Sequence, residues 1–362
     1  MAAPRMTRRE LVRARRVTQR LVGAPFASVA AAVAWFGAVQ AQDYRASLWG
    51  IGQRVRGATE VSVERAIAGR EIVRTWPMRG TLHLLAAADV RWITRTLAPR
   101  AIARAEGRHR ELGLDVRTFA RARGVVERAL AGGGVMTRDE LYAELARGRI
   151  APTGQRGIHV LCMLAMQGVL CFGPHRGKQP TFALLDEWIA PPPARDRDRD
   201  RDDALGELAR RYFTSHGPAT LADFAWWTGL PLGEARRAHA LAKPHLEEVI
   251  VDGQPCSWVP SGRRAGGPSV HLLPPYDEYT VAYRDRSAIL DPAYAERMRN
   301  GIFSPVIAIA GELAGTWRRE IRGERVIVRA DLLRAAARAP LAAAVARYAA
   351  FHGRAGELVR AG

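Results

Sequence analysis

Lysine is almost absent from this chain. Lys178 and Lys243 are its only lysines among 55 Lys and Arg residues, so nearly all of the positive charge is arginine. Covalent chemistry through an imine needs a nucleophilic amine, and only these two side chains and the chain terminus supply one. Lys178 falls in Arg176-Gly177-Lys178-Gln179-Pro180, which reads as a hairpin turn, and Lys243 precedes Pro244 at a helix end. Both read as surface or phosphate contacts. Cysteine is scarce as well. Cys162, Cys171 and Cys256 never fall two residues apart, which excludes a zinc knuckle and a secreted disulfide framework and leaves reduced core residues. The histidines form no His-Glu-x-x-His or zinc-deaminase pattern, so no metal is expected. Gly173-Pro174-His175-Arg176-Gly177-Lys178 lacks one intervening residue of a phosphate loop and has Gln179 where Ser or Thr is needed. No nucleotide or other cofactor is therefore expected. No apolar run approaches a membrane span, and Met1–Arg20 is basic and amphipathic, unlike a signal peptide, so no membrane partner is expected.

What is present is length, apolar residues and charge. At 362 residues and 48% apolar content, the chain has room for two or three compact units with real cores. Lys+Arg 55 against Asp+Glu 36 leaves a net charge of +19, which favours polyanions. The expected setting is the cytoplasm, in association with the nucleoid. The dominance of arginine also fits a GC-rich coding bias, which raises charge without any binding role.

Hydrophobic periodicity gives an α+β fold class, mainly α. A helix-helix-helix-hairpin pattern recurs three times. The first repeat has helical spacing over 7–21, 28–37, 44–55 and 61–69, then strands over 71–76 and 81–85. The second has helices over 117–131, 137–147 and 154–167. Its strands are 169–172 and 180–184, joined through Gly-Pro-His-Arg-Gly. Thr137-Arg-Asp-Glu140 is a capping box. The third has helices over 203–215, 220–228 and 231–241, then a hairpin over 246–251 and 255–259 turning at Asp252-Gly253. Such repeats are winged-helix units, which contact DNA or merely pack as structural modules. The expected organisation is 1–112, 113–190, a charged linker over 191–203, 204–264, and a C-terminal β-rich, barrel-like element over 265–362. In that last element the strands are 269–273, 279–283, 306–310, 312–320 and 324–329, with a helix over 339–352 closing the chain.

Between the second and third helices of the first repeat lies Gln40-Ala41-Gln42. In an extended backbone, residues two apart project to one side, which would turn two primary amides the same way. Alone, the tripeptide is equally an ordinary polar connector. Its surroundings, Trp35-Phe-Gly-Ala-Val-Gln40-Ala-Gln42-Asp43-Tyr44 through Trp49-Gly50, resemble the Gln-hydrophobic-Gln segment of the AlkZ/YcaQ-type winged-helix DNA glycosylases. Two further segments resemble that family in the same order. They are Met78-Arg79-Gly80-Thr81-Leu82-His83-Leu84, followed by Asp89-Val90-Arg91-Trp92, and Leu273-Pro274-Pro275-Tyr276-Asp277-Glu278-Tyr279, followed by Tyr283-Arg284-Asp285-Arg286.

The resemblance implies a monofunctional DNA glycosylase without AP lyase activity, acting as a monomer on duplex DNA that carries bulky N7-alkylpurines or interstrand crosslinks. Gln40 and Gln42 are the implied catalytic residues. Self-resistance to a DNA-alkylating natural product is one implied role. Asp43 could activate water but reads first as the N-cap of the following helix; His83 reads as a site contact or a satisfied core histidine, and Tyr276, Asp277, Glu278 and Tyr279 as structural hydrogen-bonding groups of the adjoining segments or lesion contacts. Arg318, Arg319 and Arg322, in a basic hairpin turning at Arg322-Gly323, read as a groove-probing element or a solvated face. The alternatives are a winged-helix regulator without catalysis and an architectural module. The charge makes one expectation measurable. Phosphate neutralisation releases counterions, so binding to undamaged duplexes should weaken steeply with salt and vary little with sequence at fixed salt. A binding-site selection that returns one sharp palindrome would favour the regulator.

Overall fold

The structure is a computed structural model that describes residues 3–191, 199–262, 266, 269–296, 303–334 and 337–360. In chain order the first elements are β1 (Arg5–Met6), α1 (Arg8–Thr18), α2 (Val29–Phe36), β2 (Val39–Gln40) and α3 (Tyr44–Gly52). There follow α4 (Glu60–Ala68), β3 (Ile72–Met78), β4 (Thr81–Ala86), α5 (Val90–Glu111), α6 (Val116–Leu130), β5 (Met136–Thr137), α7 (Arg138–Arg147) and α8 (Arg156–Met166). Next are β6 (Leu170–Arg176), β7 (Gln179–Leu184), α9 (Leu185–Trp188), α10 (Arg201–His216), α11 (Leu221–Thr228), α12 (Leu232–Ala242), β8 (Glu247–Val251) and β9 (Gln254–Trp258). The chain ends with β10 (Val270–Leu273), α13 (Glu278–Val281), β11 (Val306–Ile309), β12 (Glu312–Arg322), β13 (Arg325–Leu332), α14 (Arg338–Phe351) and β14 (Ala355–Arg360). The fold is α+β.

Local chemistry sets many of these boundaries. Thr7 and Thr137 each close a capping box with the glutamate three residues on, satisfying N–H groups that a helix start leaves open. Asp43 caps α3, its Oδ1 accepting from the Ala46 N–H at 3.0 Å. Asp252 and Gly253 turn the β8–β9 hairpin with positive φ at both positions.

The chain divides into two compact units. One comprises Glu64–Leu205 and Thr228–Leu230. Its strands run in the order β4-β3-β6-β7-β5. Trp76, Phe172 and Phe182 stack down this sheet with centroids 5.0 and 4.5 Å apart, and Leu130, Leu141, Val160 and Leu164 from α6, α7 and α8 join them in one core. Burial pushes the Cys162 and Cys171 thiols up to about 12, so neither forms an appreciable thiolate near neutrality.

The other unit comprises Met1–Val63, Gly206–Trp227 and Pro231–Gly362. It holds the three-stranded sheet β1-β8-β9 and the five-stranded sheet β10-β11-β12-β13-β14, whose last pair is parallel. Trp49 of α3 lies edge-on to Tyr348 of α14 at 5.1 Å and donates to the Leu272 carbonyl at 2.7 Å. Gly52 has no alternative beside it, because a Cβ there would sit 2.2 Å from the Phe351 ring. Among the described residues, two buried arginine–carboxylate pairs cross the unit. Arg15 faces Asp223 at 3.6 Å and lies over the Tyr283 ring at 3.7 Å. Arg54 donates to both Asp277 oxygens at 2.7 and 2.8 Å, with side-chain exposures of 2% and 0%.

Several expected elements need correction. Residues 279–283 are not a strand. Asp277 accepts from the Tyr279 N–H at 3.0 Å, and this local cap nucleates α13 against the β-branched pattern. The 22-residue α5 was not expected, because Pro99 and Gly107 interrupt its pattern. The chain does not close on its last helix: β14 follows α14 and pairs with β13. In the β6–β7 hairpin the strand runs through Arg176 with an irregularity between Phe172 and His175, and the turn is Gly177-Lys178. Of the expected 191–203 linker, 192–198 lie outside the described residues, and Arg201–Asp203 already belong to α10.

The Arg54–Asp277 pair generates a prediction. Removing one partner of a buried pair strands the other charge, which typically costs about 3–5 kcal/mol. Asp277→Asn should therefore lower the urea midpoint of the transition that contains this unit by that equivalent. A loss under about 1 kcal/mol would show that the pair is not needed for its stability.

Candidate active site

Gln40 ends β2, Ala41 follows with no exposure, and Gln42 lies at a bend immediately before the Asp43 cap. Gln40 is half-buried and Gln42 exposed, so the two glutamines flank a residue that points into the core. Gln40 lines a narrow cleft with Ala46, Ser47, Pro274, Tyr276 and Glu278. The sequence alone pointed to Gln40 and Tyr276 separately; the fold sets them along one cleft.

The floor of that cleft is a polar network. Glu278 is 3% exposed, and its Oε1 accepts from the Gln40 backbone N–H at 2.8 Å. Its Oε2 accepts from Trp227 Nε1 at 3.0 Å and lies 3.2 Å from His216 Nε2. Its backbone carbonyl accepts from Gln19 Nε2 at 3.2 Å, and the same amide nitrogen donates to the Tyr283 hydroxyl at 2.9 Å. Burial pushes the Tyr279 and Tyr283 hydroxyls well above the usual phenol range, keeping both as donors. Tyr283 donates to the His216 carbonyl at 2.7 Å and Tyr279 to the Gly311 carbonyl at 2.8 Å.

The candidate residues separate into distinct roles. Asp277 is committed to Arg54, to Gln53 Nε2 at 3.2 Å and to the Tyr279 N–H, so its carboxylate holds scaffold together. Tyr276 has φ +60°, a conformation side chains rarely adopt, and its half-exposed ring meets the exposed Phe303 at 5.5 Å. His83 lies in the other unit, on β4. There it is 1% exposed, with Nδ1 3.0 Å from the Thr81 carbonyl oxygen and Nε2 3.2 Å from Arg79 Nη2. The structural hydrogen bonding expected of Asp277, Glu278 and Tyr279 is present, but their partners Arg54, Gln19, His216 and Trp227 had not been singled out. Local pattern could not reveal them, since these bonds join residues from 35 to more than 250 positions apart.

The basic hairpin divides by strand alternation. Arg318 pairs with Arg329 and Arg322 with Arg325, and these four share its outer face. Arg319 points the other way, donating to the Tyr348 hydroxyl and lying 3.3 Å from His352 Nε2. Arg322 also bonds Glu320 at 2.6 Å.

Neutral amides beside a buried anion can orient water and stabilise positive charge, but they are poor bases. Comparison with known proteins agrees in kind. An interstrand DNA cross-link repair glycosylase of Streptomyces sahachiroi is 28% identical over 323 residues, covering 80% of this chain and 81% of its own length. The solved structure of Streptomyces sahachiroi DNA glycosylase AlkZ matches this fold with a TM-score of 0.81 at 23% identity, covering 99% of this chain and 100% of that one. A family model described as DNA glycosylase AlkZ-like matches residues 33–351, and the chain belongs to that family of DNA glycosylases.

Proposed function

We propose that this chain is a monofunctional glycosylase that hydrolyses the N-glycosidic bond of cationic, bulky N7-alkylpurines in duplex DNA, interstrand crosslinks among them. Gln40 and Gln42 are its catalytic residues. The observation that carries this reading is the placement of Gln40 along the narrow cleft, with its backbone anchored by Glu278. An N7-alkylated guanine already bears positive charge, so its departure needs no added proton. The remaining tasks are to stabilise the oxocarbenium sugar and to place a water. A glutamine carbonyl accepts from that water and presents its dipole to the developing cation. A relative named for interstrand crosslink repair supports the crosslink substrate.

In this reading the three helix-helix-helix-hairpin repeats are winged-helix units, divided near 112, 190 and 264. The outer face of the β12–β13 hairpin, with Arg318 and Arg322, contacts phosphate. Tyr276 meets the lesion. The protein acts as a cytoplasmic monomer, in self-resistance to a DNA-alkylating natural product.

Two measurements test the chemistry. In single-turnover assays on N7-alkylguanine duplexes, Gln40→Ala and Gln42→Ala should each slow base release roughly a hundredfold, with duplex affinity nearly intact. Wild-type rates in both variants would sink the mechanism. The product should be free base and an abasic site, without strand scission, and borohydride should trap no protein–DNA adduct. Lys178 and Lys243, both exposed, are the only lysines able to form an imine. A trapped complex that disappears in Lys178→Ala or Lys243→Ala would overturn the hydrolytic route.

A further inference from the structure

We propose that Glu278 is the positioning residue of the Gln40-Ala41-Gln42 segment, acting through the Gln40 backbone N–H; this rests on the glycosylase reading above. Three groups converge on this one buried side chain: the Gln40 N–H at 2.8 Å and Trp227 Nε1 at 3.0 Å donate to it, one to each oxygen, and His216 Nε2 lies 3.2 Å away. A carboxyl side chain accepts on both oxygens at once, which the amide of the same shape cannot do.

The carboxylate has little freedom to move. Trp227 and His216, 1% and 0% exposed, fix Oε2. Its own backbone is held by Gln19 through the Glu278 carbonyl and by the neighbouring Asp277–Arg54 pair. Oε1 is thereby a fixed point, and the Gln40 main chain hangs from it. No substitution of the Gln40 side chain other than proline removes this bond, so Glu278 controls where the residue sits, independently of what its amide does. A misplacement of about 1 Å in a reacting constellation is enough to cost about a hundredfold in rate.

Glu278→Gln tests the assignment, because it keeps the shape and removes the acceptor surplus. The new amide presents its NH2 either to the Gln40 N–H or to Trp227 and His216. Excision in single-turnover conditions should fall by about tenfold or more, while affinity for undamaged duplex changes by less than about twofold. In a background that already carries Gln40→Ala and Gln42→Ala the same change should cost little further, since its effect passes through those two amides. Additive losses in that triple variant, or affinity falling in step with rate, would overturn the proposal. A measurement without substrate stands beside these. The ¹⁵N-labelled Gln40 amide should exchange slowly and resonate downfield in the wild type, and lose both features in Glu278→Gln. If that variant does not fold, the wild-type amide decides alone: exchange as fast as that of an exposed loop amide would refute the bond. A wild type that releases no alkylated base would refute the glycosylase reading while leaving this amide result to be judged separately.

Discussion

One guanidinium organises the ground under the candidate site. Arg54 donates through Nε to the Gln19 carbonyl at 2.9 Å, through Nη1 to Gly50 and Asp277, and through Nη2 to Asp277 again. It ties the end of α1, the body of α3 and the turn before α13 to a single rigid plane. Arginine suits this task because its fork of donors is planar and always charged. A buried pair of this kind is weak evidence for net stability, since desolvation offsets much of the attraction. Its evident product is geometry. Asp277 is locked, Glu278 is the next residue, and Glu278 reaches Gln40.

Charge is answered in two ways in this scaffold. Arg54 answers Asp277 and Arg15 answers Asp223, so each of these two buried arginines has a carboxylate beside it. Glu278 is met instead by the Gln40 N–H and Trp227 Nε1, with His216 Nε2 3.2 Å away, which places a carboxyl group immediately behind the glutamine backbone.

The sequence revealed the parts that are local. The capping box at Thr137 and the Asp43 cap depend on residues three apart, and amphipathic helices such as α6 carry their own period. Where the sequence misled, tertiary packing or a local side chain outweighed propensity. Residues 279–283 look like a strand until Asp277 caps them, and α5 runs through Pro99 because its buried stretch from Val90 to Ala101 packs into the core. Gln40 and Gln42 were legible through their flanking segment. The polar run Asp277–Tyr279 was legible as a hydrogen-bonding segment, but its partners were not, because Arg54, His216 and Trp227 are joined to it by the fold and by nothing in their local patterns.

The β12–β13 ladder places Arg318 against Arg329 and Arg322 against Arg325. Directly opposed like charges on one sheet face work against the pairing that holds them together. The strands meet with Trp317 buried opposite Ala330, and with Glu320 2.6 Å from Arg322 and Glu357 3.5 Å from Arg325. The tip of the hairpin thus owes its alignment to carboxylates of its own unit. Replacing Glu320 or Glu357 with a neutral residue would leave Arg322 and Arg325 facing each other unanswered, and the cost would appear as fraying of the tip while the ladder beside Trp317 stays paired.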